Sequence, residues 1–446
     1  MLSKKKPSQI PLVLLYPLLL MVTTFVLSGC GSLNSSPGVQ TSTPSDPEGL
    51  VAAFTLNDQI PTLTVELIAK TPEVLTNTMT ASILVDETAE ATQTPALIFA
   101  HTPNPYITET PKISRMYEED YNPLTGLIVD DGLLLNRSPV LVKISNFPRE
   151  VRPQSGLSKA DMVFEYYIGG FMNRFLAVYY GENAIWAGPI RSGRLIDAQL
   201  AKNYRGILVY GGADERVNNV ITAEDFLGDR AIDTRYFSSC PPICGTETHS
   251  LEGVYVDTAM MSEWVFMMER DQRQRHYELD TLYHSADIPS GVSLVGAIEI
   301  EILTSTICRS KWVYDASIVS YLRWEEADDR TNEYLPSIDA ANNLLQVDTQ
   351  NILILFADYV VYDSMLHDIR IHYAEGMMPA IFYRDGYQFT GYWSGLNNDA
   401  PLQFFDEEFN AYPLAPGKSW VIFASKESEV VSLDNGGRWQ IIFARP

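Results

Sequence analysis

The sequence predicts an α+β protein: a mixed α/β N-terminal domain followed by a mainly β C-terminal domain. Three observations predict it. Short β-branched and aromatic runs between residues 140 and 210 are interrupted by a stretch with helical spacing, the signature of mixed layers. Beyond Pro289 helical signals nearly vanish, while apolar runs of strand length recur. An apolar content of 46% over 446 residues supplies two or three cores. The chain divides into residues 1–29 as a signal peptide, 30–117 as a tether, 118–288 as the first domain and 289–446 as the second.

Lys4, Lys5 and Lys6 precede an apolar run from about Ile10 to Val26, followed by Leu27-Ser28-Gly29-Cys30. A basic start, an apolar middle and a small-residue ending make a secretory signal rather than a structural helix. The run is also shorter than the ~20 residues of a membrane span. The L-S-G-C ending resembles a bacterial lipobox. That resemblance implies that Cys30 becomes the first mature residue and carries lipid, palmitate included. The chain is then expected on the extracytoplasmic side of the bacterial cell membrane, held there by several acyl chains, since one binds only marginally.

Removal of residues 1–29 takes three lysines and no acid, moving the formal charge from −24 to −27. So acidic a chain repels phosphate backbones, which excludes nucleic acid as a partner. Cys240, Cys244 and Cys308 remain. Export permits a Cys240–Cys244 disulfide; reduced thiols, or a zinc site with His249, are the other readings. No metal and no cofactor is expected.

From Gly31 to about Met116 the composition is rich in Thr, Ser and Pro, with Thr-Pro at five places, and reads as a disordered stalk. Asn122-Pro123-Leu124-Thr125-Gly126 is a turn-rich start to the folded region. Strands are expected at 140–146, 160–167, 174–180, 184–187 and 207–210. Helices are expected at 194–204, 215–223 and 258–270. In the second half strands are expected at 295–303, 312–314, 319–324, 352–362, 369–373, 420–424 and 439–443. A hairpin turning at Asp385-Gly386 joins 380–383 to 387–393.

Gly188-Pro189-Ile190-Arg191-Ser192-Gly193-Arg194 joins a turn to a helix. Arginine is always charged and grips planar anions with two prongs, and a helix N-terminus adds free N–H groups. NPLTG (122–126), the 145–170 stretch, RFLAVYYG (174–181) and GPIRSGR (188–194) together resemble the YerB-like bacterial lipoproteins, a family with a two-part domain of unknown function. WVYD (312–315), YLRW (321–324), FYRDGYQFTGYW (382–393) and PLAPGKSWVIF (413–423) resemble the second part. The resemblance covers the region from Asn122 onward and implies no reaction. This chain departs from the family at Tyr210, where a histidine is common, and at Thr248-His249-Ser250, where Pro-His-Asn is the pattern.

The residues expected to bind a ligand are Asn146, Arg152, Asp161, Arg174, Arg191 and Arg194. Glu165 and His249 are the catalytic candidates, as general acid or base. Glu165 and Arg174 flank Gly169-Gly170, so a hairpin is expected to pair them. There is no G-x-S-x-G, H-E-x-x-H or G-x-G-x-x-G. Gly417-Lys418-Ser419 is not a phosphate loop, because Tyr412 stands where its first glycine belongs. The first reading is therefore a lipid-anchored protein binding an anionic small molecule or cell-wall component. The alternatives are an envelope hydrolase or lyase using Glu165 and His249, and a scaffold docking an envelope protein.

Overall fold

A computed structural model describes residues 119–446 apart from 238, 246–252, 291–292, 329–330, 373–375, 398 and 435–436. The signal peptide, Cys30, the whole tether and His249 lie outside the described residues.

The architecture is mostly β, with three α-helices among the described residues. An 11-stranded sheet forms its middle. Its order from one edge is Val295–Gly296, Tyr387–Ser394, Met378–Arg384, Asn351–Ala357, Ser419–Ser425, Met162–Gly169, Met172–Tyr179, Val140–Ser145, Ile207–Tyr210 and Ala231–Asp233. Gln403–Phe405 pairs off this path with Tyr387–Ser394. Ser419–Ser425 lies parallel to both neighbours, pairing Ile422 with Ile354 on one side and with Glu165 on the other. One sheet thus takes strands from both sides of the 288/289 boundary expected from composition.

The central strands have no solvated face. All residues of Val140–Ser145, Ile207–Tyr210, Asn351–Ala357 and Ser419–Ser425 are buried, as parallel strands covered on both sides are. On one face Phe164, Tyr166, Leu176 and Phe423 pack with Leu200 of the Leu195–Asn203 helix, Tyr204 at its end, and Val217 and Ile221 of the Glu215–Ala223 helix. On the other, Val163, Phe175 and Trp420 pack with Ile300, Trp312 and Tyr321 of a second, seven-stranded sheet, and with Met261 and Val265 of the Thr258–Met267 helix. Burying each large apolar side chain contributes about 1.5–3 kcal/mol, so both layers are held firmly.

Several expected elements are corrected. The 295–303 run divides, with Val295–Gly296 in the large sheet and Glu299–Ser305 in the second. The buried Ala297 sits at the crossing. Residues 184–187 form no strand; only Ala187 bridges Val256, and Ile185 and Trp186 face solvent. The expected α/β character of the first domain reduces to helices laid on a shared sheet.

Candidate functional site

Seven strands of the large sheet, 140–145, 162–169, 207–210, 231–233, 351–357, 387–394 and 419–425, point the same way. Ligands of open sheets gather at the carboxyl ends of such strands. The 188–194 segment is laced into that end. Arg191 N donates to Lys143 O at 2.9 Å, Gly211 N to Arg191 O at 2.8 Å, and Gly193 N to Gly212 O at 2.8 Å. It therefore bridges the ends of Val140–Ser145 and Ile207–Tyr210 and starts the helix at Leu195.

This brings three of the four sequence-read arginines together. Arg174 lies opposite Ser145 in the sheet, and Ser145 Oγ accepts from Arg191 Nε at 3.1 Å. Arg174 and Arg194 both donate to the Ser192 carbonyl, at 3.0 and 3.5 Å. Arg194 Nε is buried with no hydrogen-bond partner among the described residues. Beneath them Lys143 is fully buried. Its ammonium lies 3.2 Å from Asp197 Oδ1 and also donates to the Tyr166 hydroxyl, which itself donates to Asp197. Asp197 Oδ2 accepts from Arg194 N at 2.6 Å, closing the first helical turn.

Among the described residues, cations outnumber buried carboxylates in this cluster. Burial pushes the Lys143 ammonium down to about 7; Asp197 opposes that, while Arg174 and Arg194 add to it. Burial, then Arg194 and Arg191, pulls the Arg174 guanidinium down to about 9. Guanidinium is among the weakest acids a protein holds, so crowding of like charge in a poorly hydrated place is the cause.

The other residues read from sequence lie elsewhere. Asn146, Arg152 and Glu165 belong to a buried network between the two sheets. Arg152 meets Glu326 at 2.9 Å, Glu325 at 3.4 Å and Asn146 Oδ1 at 3.2 Å. Glu165 is 1% exposed and accepts from Trp420 Nε1 at 2.8 Å and from Asn173 Nδ2. The adjoining cavity of about 10 Å³ has room for about one water. With both carboxylate oxygens engaged and no space for a substrate, this geometry does not support Glu165 as an acid or base. The Glu165–Arg174 pair is not formed either: Glu165 stands opposite Phe175, and Tyr166 opposite Arg174.

Asp161 lies at the opposite end of the sheet. Its carboxylate accepts from Asn122 Nδ2 at 2.6 Å, Tyr180 N at 2.6 Å and Gly181 N at 3.1 Å. Burial outweighs these bonds and pushes its acid up to about 6. Cys240 and Cys244 are joined in a disulfide, which removes both thiols from the zinc alternative. Cys308 is free and buried, its thiol donating to Asn173 Oδ1 at 2.7 Å.

Family models described as protein of unknown function (DUF3048), N-terminal and C-terminal domains, match residues 124–260 and 298–421. The chain belongs to the DUF3048 family. It is 41% identical over 90 residues to the YerB protein of Bacillus subtilis (strain 168), whose name includes the word lipoprotein. That match spans 20% of this chain and 27% of the relative. The crystal structure of Bacillus subtilis YerB aligns with a TM-score of 0.56 at 20% identity, over 68% of this chain and 96% of that one. At that identity the likeness shows the fold.

In this DUF3048 chain, sequence reading missed Lys143, Tyr166 and Asp197. A signal for the first was present: VLVKISN holds one lysine inside an otherwise apolar strand. Lysine is almost never fully buried unless paired, so a buried reading of that run demanded a counter-charge nearby.

Proposed function

We propose that this chain is a lipid-anchored envelope lipoprotein that binds a multiply charged anion at Arg174, Arg191 and Arg194. One observation carries the reading. The Arg174 and Arg194 guanidiniums and the Lys143 ammonium meet one buried carboxylate among the described residues, Asp197, with Arg191 alongside. The Arg174 guanidinium donates to the Ser192 carbonyl, and that of Arg194 to the Ser192 and Gly193 carbonyls, instead of to acids. A dianion bridging Arg174 and Arg194 would relieve the crowding, and planar oxyanions suit the guanidinium fork. The lipobox-like Leu27-Ser28-Gly29-Cys30 and the likeness to YerB support the anchor.

Isothermal titration of the full-length chain in detergent with inorganic phosphate, pyrophosphate and citrate tests the site, with Arg191→Ala beside it. Binding by the wild type that weakens at least about tenfold in the variant supports the reading. No heat from any of the three up to millimolar concentration sinks it. Metabolic labelling with palmitate, lost in Cys30→Ser, tests the anchor separately.

A further inference from the structure

The amino ends of three of these strands, at Met162, Asn351 and Ser419, border a large cleft of about 870 Å³, a size typical of ligand sites. Ser158–Asp161 precede one strand, Ala415–Lys418 another, and Gly181–Asn183 follow their antiparallel neighbour. Two chemical features set it apart from an ordinary crevice. Its walls carry Leu127, Ile128, Ile318 and Val319 at 46, 56, 53 and 50% exposure. Its charge is also lopsided: six carboxylates line it against three cations.

All three cations are already taken. Lys159 pairs with Glu182 at 3.2 Å, Arg384 with Asp385 at 2.6 Å, and Lys418 with Asp348. Asp130 and Asp131 have no ion-pair partner among the described residues, although Asp131 also caps Leu133 N, and Asp161 stands buried among the lining residues. Independently of these acids, Arg384 is 1% exposed and its Nη2 has no hydrogen-bond partner among the described residues. The cleft thus offers carboxylates without cations, a guanidinium donor without an acceptor, and unburied aliphatic surface.

We propose that this cleft binds an extended peptide segment carrying lysine or arginine beside aliphatic residues. Its cations would meet Asp130 and Asp131, a backbone carbonyl would meet Arg384 Nη2, and its aliphatic side chains would cover Ile318 and Val319. A simple polyamine brings neither carbonyl nor branched apolar groups, and an acidic chain is repelled. This site is independent of the anion site at the other end of the sheet.

Fluorescence anisotropy on the full-length chain in detergent tests it, using a labelled peptide of alternating lysine and leucine and a glutamate–leucine counterpart. The lysine peptide is expected to bind, and the glutamate peptide not. Binding should weaken about tenfold in Asp130→Asn/Asp131→Asn and again in Ile318→Ser. These positions are exposed and the asparagine keeps a capping oxygen, so folding is not at issue. Equal affinity in wild type and variants, equal binding of the glutamate peptide, or no binding at millimolar concentration would overturn the proposal. Displacement by spermine as strong as by unlabelled peptide, together with an unchanged Ile318→Ser, would also overturn it in favour of a small polycation.

Discussion

The two ends of the central sheet share the strands Met162–Gly169 and Met172–Tyr179 yet carry opposite chemistry. At the carboxyl end cations crowd around one buried carboxylate, in a tight, mostly buried cluster. At the amino end carboxylates outnumber cations around an open cleft. The ion pairs differ accordingly. Lys143–Asp197 is wholly buried, whereas Lys159–Glu182 is exposed at 37 and 57%. Charge in the interior is held by neighbours it cannot lose, while charge at the rim is held by water.

The largest expected effect separates the two ends directly. Asp197→Ala strands the Lys143 ammonium and removes the helix's first-turn acceptor, so it should cost about 3–5 kcal/mol in urea unfolding. An effect under about 1 kcal/mol would mean that the cluster is already hydrated, and the contrast would fall.

Next in size is a pair of pH arms with opposite signs. The folded Asp161 acid is raised to about 6 from 3.8, so the native state binds more protons between those values. Stability should fall there as pH rises, by roughly 3 kcal/mol at most. The folded Lys143 ammonium is lowered to about 7 from 10.5, so the unfolded state binds more protons in between. Stability should rise with pH across that window. Urea midpoints against pH should show both arms, with Asp161→Asn flattening the acidic one and Lys143→Met the alkaline one. If either substitution leaves its arm intact, the assignment to that end is wrong.

A smaller effect concerns repulsion. Without ligand, Arg191→Ala should cost no more than about 1 kcal/mol, because removing a like charge beside Arg174 offsets the lost bond to Ser145 Oγ. A loss beyond 1 kcal/mol would show that Arg191 is a structural tie instead. The smallest effect belongs to the rim, where Glu182→Ala should change unfolding free energy by less than about 1 kcal/mol, and less still in high salt.

Much of the strand pattern was legible. Runs such as ILVY and NILILFA need two covered faces, and they have them. Of the aromatics on the second half's strands, Trp312, Tyr321, Tyr383 and Trp393 are buried, and Trp324, Tyr387 and Tyr392 are half-buried. Long-range pairing was not legible, because nothing local in Ser419–Ser425 says that its neighbour is Met162–Gly169. The Glu165–Arg174 error has a definite cause. A two-residue turn at Gly169-Gly170 would set those side chains opposite each other. The turn instead falls on Gly170-Phe171, and a bulge between Tyr167 and Gly169 leaves Glu165 opposite Phe175, a net shift of one residue that sends each side chain to the other face. Gly169, at φ +91°, admits that geometry; a Cβ there would lie 2.4 Å from Ser364 O. Arg152 was misplaced for another reason: its partners Glu325 and Glu326 come from a distant strand.

The strand at 419–425 also has a meaning for the order in which the chain is made. A ribosome delivers Met162–Gly169 long before Ser419, more than two hundred residues later. Until then one edge of that almost wholly buried strand has no partner, and unpaired apolar edges recruit other chains. A fragment that stops short of Ser419 keeps this open seam permanently, and should associate with itself instead of remaining a monomer. For the whole chain, the last tenth of the sequence closes the middle of the sheet, so folding cannot finish while that tail is still being made or exported.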